Sequence, residues 1–446
     1  VPTLESDPDQ GVVSPVLVQE REIGRVDGQG GGPTLVVLGG VHGNEPAGIH
    51  ASRRVIERLG AVNPALVHGS FVTLAGDMAA INHPDPATRY IDHDLNRLCT
   101  RERFAETPDT SAEHREMFGL FDALGREHAR CAALGREMVL VDLHTTSAPS
   151  RPIVALEDTL AARAVVRHLP LPRYLGMEEE LGGLVFDAAT QRFGCVAFLI
   201  EGGQHDDPLS IRVHEAAIWT LLSSLGVLDL RALGDAPFDA DPGRWLRRAA
   251  GPKAGLVYDL RHLEPITSED FEILRGIGSG SRVRAGSTRV ATQGGRELIA
   301  PMDGEVFLPN MQPYKRIGDD GYFIVRRVST GWINLSARLR TKRWIHALIE
   351  RLPGVHRHRS GVLLVESDLA AVLKRQVFHL LGYRLERHDD TLGGRGLARV
   401  ARGIVAFARA IVRAPIRREV DPQDPGFWVV RRRRLDLDAR RAGPRP

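Results

Sequence analysis

Leu35-Val36-Val37-Leu38-Gly39-Gly40-Val41-His42-Gly43-Asn44-Glu45-Pro46-Ala47-Gly48 decides the fold. Four consecutive apolar residues ending on two glycines predict a buried strand that runs into a tight turn. Pro46 and the apolar-periodic run to Leu59 predict a helix, with Pro46 in its first turn and Gly60 just past its end. His42 and Glu45 therefore fall on the loop between the carboxyl end of a strand and a helix. In an open α/β sheet, ligands bind at that edge.

An imidazole and a carboxylate three residues apart on such a loop can face one small cation. Zinc accepts this mixture of nitrogen and oxygen donors, and a catalytic zinc takes three protein ligands and keeps a position open for water. A second apolar run, Val139-Leu140-Val141-Asp142-Leu143-His144-Thr145-Thr146-Ser147, also opens onto a polar turn and offers His144 as the third ligand. On spacing alone the alternative is a pair of loop histidines with ordinary solvated roles.

Four motifs then occur in order: His42-Gly43-Asn44-Glu45, Arg89-Tyr90-Ile91-Asp92-His93-Asp94-Leu95-Asn96-Arg97, Asp142-Leu143-His144-Thr145-Thr146 and Ile200-Glu201. Together they resemble the succinylglutamate desuccinylase/aspartoacylase family, relatives of the zinc carboxypeptidases, over residues 30 to 330. The resemblance implies one zinc ion held by His42, Glu45 and His144. It also implies that Glu201 is the catalytic glutamate, that Arg89 polarises the scissile carbonyl, and that Asn96 and Arg97 bind a substrate carboxylate. A tyrosine from a β-rich domain completes the family's substrate pocket, and Tyr314 is the candidate here.

The residues carry part of that chemistry unaided. Glu201 closes the apolar run from Val196 to Ile200 and is followed by two glycines, so its carboxylate emerges at the same sheet edge. A carboxylate beside a partly dry metal site can act as general base and then general acid. An arginine meets a carboxylate with two parallel hydrogen bonds. Salt bridging of Arg89 and Arg97 with Asp92 or Asp94 is the competing reading. Asp142 is a candidate to orient a ligand histidine, and Arg192 a further candidate for substrate contact. His93 and His205 lie near the motifs and receive no role.

Strands alternate with helices up to residue 234, which predicts an α/β fold, a mostly parallel mixed sheet flanked by helices, and the resemblance implies that it is of zinc carboxypeptidase type. Strands are expected near residues 16–18, 35–38, 69–76, 152–156 and 195–200, and helices over 112–134 and 213–225. Short glycine-separated β runs between Gly255 and Val328 predict a small all-β domain. The organisation expected is a catalytic domain over 1–234, a β-rich domain over 235–332 and a basic helical C-terminal extension over 333–446, with helices at 367–381 and 397–412.

The chain of 446 residues, 43% hydrophobic, can bury a sizeable core. No apolar run reads as a membrane span, residues 1 to 10 lack the pattern of a signal peptide, and three scattered cysteines make no disulfide framework, so a cytoplasmic protein is expected. The net charge of +3 hides an asymmetry, because 25 basic and 11 acidic residues lie from Arg338 onward. Three roles for that tail stay open: packing on its own chain, contact with nucleic acid or an anionic surface, and a homo-oligomer interface.

The expected activity is zinc-dependent hydrolysis of an amide bond in an N-acyl amino acid or similar small carboxylate-bearing substrate. The alternatives are a carboxypeptidase-like peptidase acting on short peptides and a non-catalytic binding protein acting through its basic tail. A phosphate-binding reading of residues 39–43 fails, because no lysine follows the glycines.

Overall fold

The computed structural model describes residues 13–107, 111–233, 235–312, 315–352, 354–359, 362–366, 377–385 and 427–432. Eight strands fix the frame of the first unit: β1 (Glu22–Asp27), β2 (Thr34–Gly39), β3 (Ser70–Ala75), β4 (Met138–Thr146), β5 (Ile153–Leu156), β6 (Arg173–Leu175), β7 (Val196–Gln204) and β8 (Val257–Pro265). They lie in the order β1-β3-β2-β4-β7-β5-β6-β8, and the strands Asp320–Val328, Gly304–Phe307 and Arg282–Val283 continue the same sheet beyond β8. The pairs β3–β2, β2–β4 and β4–β7 are parallel, whereas β1–β3 and β5–β7 are antiparallel.

Both faces of this sheet are covered, which is why its central strands read as continuous apolar runs. Val36, Leu38, Leu140 and Leu199 pack with Met117, Leu120, Leu124, Val185 and Ala189 of the helices Ala112–Ala133 and Val185–Phe193. The alternating residues Leu35, Val37, Val141, Phe198 and Ile200 are equally buried. They face the opposite side, where the helices Ala47–Gly60 and Leu209–Ser224 pack on β2, β7 and each other.

Two glycines let the first helix start directly against the strand end. A Cβ on Gly39 would lie 2.9 Å from Ile49 N, and one on Gly48 would lie 2.7 Å from Leu143 Cβ. The turn between them, which carries His42 and Glu45, is thereby held against β4.

Residues 16–18 form no strand. Val16 and Val18 are buried against Ile49, Ala75 and Ile81, but the backbone of Val18 bonds the Asn82 side-chain amide, which donates to its carbonyl and accepts from its N–H. The period-2 burial is real; the pairing partner is a side chain.

The strands beyond Gly255 divide. Besides those that extend the main sheet, Arg296–Ile299, Arg289–Gln293 and Glu272–Ile273 form a three-stranded antiparallel sheet. Val1–Glu157 and Ala162–Arg327 form one compact unit, and Asp158–Ala161 with Val328–Pro446 form the other.

In the second unit, the helices Thr330–Arg340 and Arg343–Ile349 are accompanied by a four-stranded antiparallel sheet, Val355–Arg359, Val362–Glu366, Phe427–Arg432 and Tyr383–Leu385 in that order. Leu363, Val365, Phe378, Leu381, Tyr383 and Val430 build its core. Asp158 sits between two buried guanidiniums, 2.6 Å from Arg340 and paired with Arg384. The helices expected at 397–412 and over most of 367–381 lie outside the described residues. No helix among the described residues is long and apolar enough to cross a membrane.

Candidate active site

The parallel register brings three strand ends to one level. Gly39 of β2 pairs with Leu143 of β4, and His144 of β4 pairs with Glu201 of β7. The turn after β2 then carries Glu45 to the tip of β4.

There the Glu45 carboxylate bridges two imidazoles. Its Oε1 lies 2.8 Å from His42 Nδ1 and its Oε2 lies 3.0 Å from His144 Nδ1. The Thr145 N–H donates to the same Oε2 at 2.9 Å. Ligand atoms of His42, Glu45 and His144 all lie within 4.8 Å of one another, the only such group found among the described residues. All three side chains are buried.

Each imidazole turns its far nitrogen toward an aspartate. His42 Nε2 lies 3.1 Å from Asp94 Oδ1, and His144 Nε2 lies 3.1 Å from Asp142 Oδ2. Carboxylates placed behind metal-binding histidines fix ring orientation and raise basicity.

Burial opposes a charge on His144, yet Asp142 and Glu45 hold its pKa well above the usual histidine range. Burial likewise opposes ionisation of Glu45, and the two imidazoles hold that carboxyl well below its usual range.

Glu201 is buried beside them and its Oε2 has no hydrogen-bond partner among the described residues. Burial pushes its carboxyl up to about 8; Glu45 adds to the rise, and His144 and Arg89 pull the other way.

Arg89 donates to Glu45 Oε1 at 3.1 Å and to Asp94 Oδ2 at 3.2 Å. The Asn96 N–H donates to Asp94 Oδ1 at 2.8 Å, and its side-chain Oδ1 accepts from Val185 N at 2.8 Å, at the start of the helix Val185–Phe193. Arg97 donates to the Asn96 carbonyl at 2.8 Å and pairs with Asp320. The salt bridge between Arg89 and Asp94 is thus formed, within the site itself.

A cavity of about 200 Å³ is lined by His42, Glu45, Arg89, Asn96, Arg97, His144 and Glu201. Tyr314 lies outside the described residues. Arg192 is not among the lining residues and lies over the Phe104 ring, 4.8 Å from its centroid.

Four further residues brace or line this site. The buried Glu113 accepts from the backbone N–H groups of Ile91, Asp92 and His93 and so holds the loop between Arg89 and Asp94. His205 lines the cavity with its Nδ1 2.8 Å from Thr145 Oγ1. His214, fully buried, donates from Nε2 to the His144 carbonyl at 3.0 Å and packs where a Cβ on Gly202 would fall. Asp320 joins Arg97 in the cavity wall. Only His205, four positions after Glu201, stood near enough to a motif for the sequence to point to it.

The family model for the succinylglutamate desuccinylase/aspartoacylase catalytic domain matches residues 31–221, the span that contains every motif above. Over those residues the chain is similar to the catalytic domain of the succinylglutamate desuccinylase/aspartoacylase family. Hydrolysis is the activity of this desuccinylase/aspartoacylase family.

Solved structures similar to this chain include a succinylglutamate desuccinylase/aspartoacylase from Rhodobacter sphaeroides, at 20% identity over 68% of this chain and 88% of that one, with a TM-score of 0.49. The product-bound ectoine utilization protein EutE (DoeB) from Ruegeria pomeroyi is similar at 17% identity, over 68% and 87% of the two chains, with a TM-score of 0.48. A succinylglutamate desuccinylase from Vibrio cholerae follows at 15% identity, over 68% and 85%, also with a TM-score of 0.48. No curated protein matches the chain.

Proposed function

We propose that this protein is a zinc-dependent deacylase that hydrolyses the amide bond of an N-acyl amino acid or a similar carboxylate-bearing substrate. The convergence of His42, Glu45 and His144 beside Glu201 carries this reading. Two imidazoles and one carboxylate form a donor set that suits zinc. The two aspartates behind the imidazoles support a resident cation. When bound there, zinc supplies a Lewis acid and makes a water molecule acidic enough to react near neutral pH.

The other steps fall to side chains. Glu201 takes the proton of the attacking water on its unpartnered Oε2 and delivers it to the leaving nitrogen. Arg89, fixed by Glu45 and Asp94, presents its charge to the developing oxyanion. Asn96 and Arg97 hold the substrate carboxylate, with Tyr314 assigned to the same pocket on the family resemblance alone. Three buried free thiols suit a reducing compartment, and a cytoplasmic setting belongs to the same proposal.

The test is hydrolysis of a panel of N-acyl amino acids and dipeptides by the full chain, before and after chelation and zinc re-addition. Release of amino acid from the N-acyl substrates, lost on chelation and restored by zinc, is expected. Activity confined to dipeptides would support the peptidase reading instead.

A further inference from the structure

The helix Arg343–Ile349 of the second unit has one side locked inward. The buried His346 donates from Nε2 to the Arg340 carbonyl at 3.0 Å and accepts at Nδ1 from the Tyr383 hydroxyl at 3.1 Å. Ile349 packs in the same core as Val355, Leu363 and Tyr383. Residues one helical turn apart share a face, so Trp344 and Leu348 fall together on the side away from that anchor.

Trp344 is 68% exposed and Leu348 56%. Single exposed apolar residues are ordinary, but a tryptophan and a leucine held outward on one turn call for a partner. The preceding helix, Thr330–Arg340, is turned the same way: Ser336 and Arg340 are buried while Trp332 and Leu335, three positions apart, are exposed.

The charge of this stretch has one sign. From 330 to 352 stand Arg338, Arg340, Lys342, Arg343 and Arg351 against a single acidic residue, Glu350. Glu350 lies 3.7 Å from Arg357, and Arg340 is paired with Asp158 in the core. Lys342, Arg343 and Arg351 are exposed and bracket Trp344 and Leu348 along the chain.

A partner for this face has to meet apolar side chains and cations together. A second copy of the same face sets like charges against one another. Nucleic acid offers phosphates to the cations and a base to a tryptophan, but nothing to Leu348. The boundary between headgroups and acyl chains of an anionic leaflet offers both. Tryptophan is favoured there, and long basic side chains reach back to the phosphates.

We propose that Trp344 and Leu348, with Lys342, Arg343 and Arg351, seat the second unit on an anionic phospholipid surface. The two apolar side chains enter the boundary and the cations stay at headgroup level. The helix is 7 residues long, so the contact is shallow and reversible. The deacylase reading neither requires this contact nor supplies it.

The experiment measures co-sedimentation of the full chain with phosphatidylcholine vesicles, with and without phosphatidylglycerol, at low and at higher salt. Binding should be about tenfold or more stronger with phosphatidylglycerol and should weaken with salt. The chain has other basic residues, so variants at exposed positions decide the site. Trp344→Ser and Leu348→Ser should each weaken binding roughly tenfold, and Lys342→Glu with Arg343→Glu by about as much or more. Thermal unfolding of each variant checks that it is folded. Brominated lipid should quench the tryptophan emission of the wild type, and less in Trp344→Phe, a readout that purely electrostatic adsorption does not move.

No binding to the phosphatidylglycerol vesicles overturns the proposal. Binding and quenching unchanged in the Trp344 and Leu348 variants also overturn it, and place the contact on basic residues elsewhere. A dimer that dissociates in Trp344→Ser, or single-stranded nucleic acid bound in preference to vesicles and lost in the same variants, assigns the face to that partner and overturns it too.

Discussion

The carboxylate of Glu201 and the imidazole of His144 are register partners on neighbouring parallel strands, so the proposed base and a proposed metal ligand leave the sheet at the same height. Among the described residues, Glu201 Oε2 has no hydrogen-bond partner. Replacing it by Gln keeps the shape and removes the proton acceptor. Glu201→Gln should lower kcat by roughly 10³-fold, within the range general acid–base groups contribute, while zinc content is unchanged. Steady-state kinetics with metal analysis of the same sample checks both halves.

Glu113 reaches the site through the backbone. Three N–H groups, those of Ile91, Asp92 and His93, converge on its buried carboxylate. Glu113→Gln keeps one acceptor oxygen but turns an amide donor toward N–H groups, at a penalty of about 1–3 kcal/mol. The loop that orients Arg89 and Asp94 then loosens, and kcat/KM should fall about tenfold or more with zinc still bound. Wild-type kcat/KM in a folded variant would mean the loop holds itself.

Asp77 gives a stability signature in pH. It is fully buried, its Oδ1 accepts from Ala80 N at 2.9 Å, and burial pushes its carboxyl up to about 7. A carboxyl whose folded pKa lies above its unfolded value binds more protons in the native state. Its effect on stability is therefore favourable below the unfolded pKa near 4 and is lost as pH rises through about 7. Asp77→Asn retains an oxygen for the Ala80 amide and removes the titration. The variant should gain on the order of 3–4 kcal/mol over wild type at pH 8 and almost nothing at pH 4, in denaturant melts at both values.

In the second unit, Asp158 is the shared anion of Arg340 and Arg384, and all three side chains are buried. Removing one member of a buried ion-paired group leaves uncompensated charge at about 3–5 kcal/mol. Asp158→Asn should lower the unfolding free energy of this unit by about 3 kcal/mol, seen as an earlier transition in thermal or urea unfolding. An unchanged transition would show that other acceptors neutralise the two guanidiniums.

Which of these features the sequence disclosed follows from distance along the chain. His42, Glu45, His144 and Glu201 were legible because each follows an apolar run, and the alternation of strands and helices implies a common edge for such run ends. The pairing of Arg97 with Asp320 was not, because nothing local to either residue encodes it. Glu113 is hidden for a related reason: it sits in the first turn of the helix Ala112–Ala133, where an acidic residue is ordinary. The strand expected at 16–18 failed because alternating burial does not say whether the backbone partner is a strand or the Asn82 amide. The sheet of the second unit escaped notice because it joins Val362–Glu366 to Phe427–Arg432 across a long sequence gap.

The most direct test of the metal proposal is elemental analysis of the full chain purified without chelator, beside Glu45→Ala and Glu201→Gln. The account predicts about one zinc per chain in the wild type and in Glu201→Gln, and none in Glu45→Ala. Wild-type protein that takes up no zinc even when it is supplied, or Glu45→Ala protein that holds as much zinc as wild type, would contradict it.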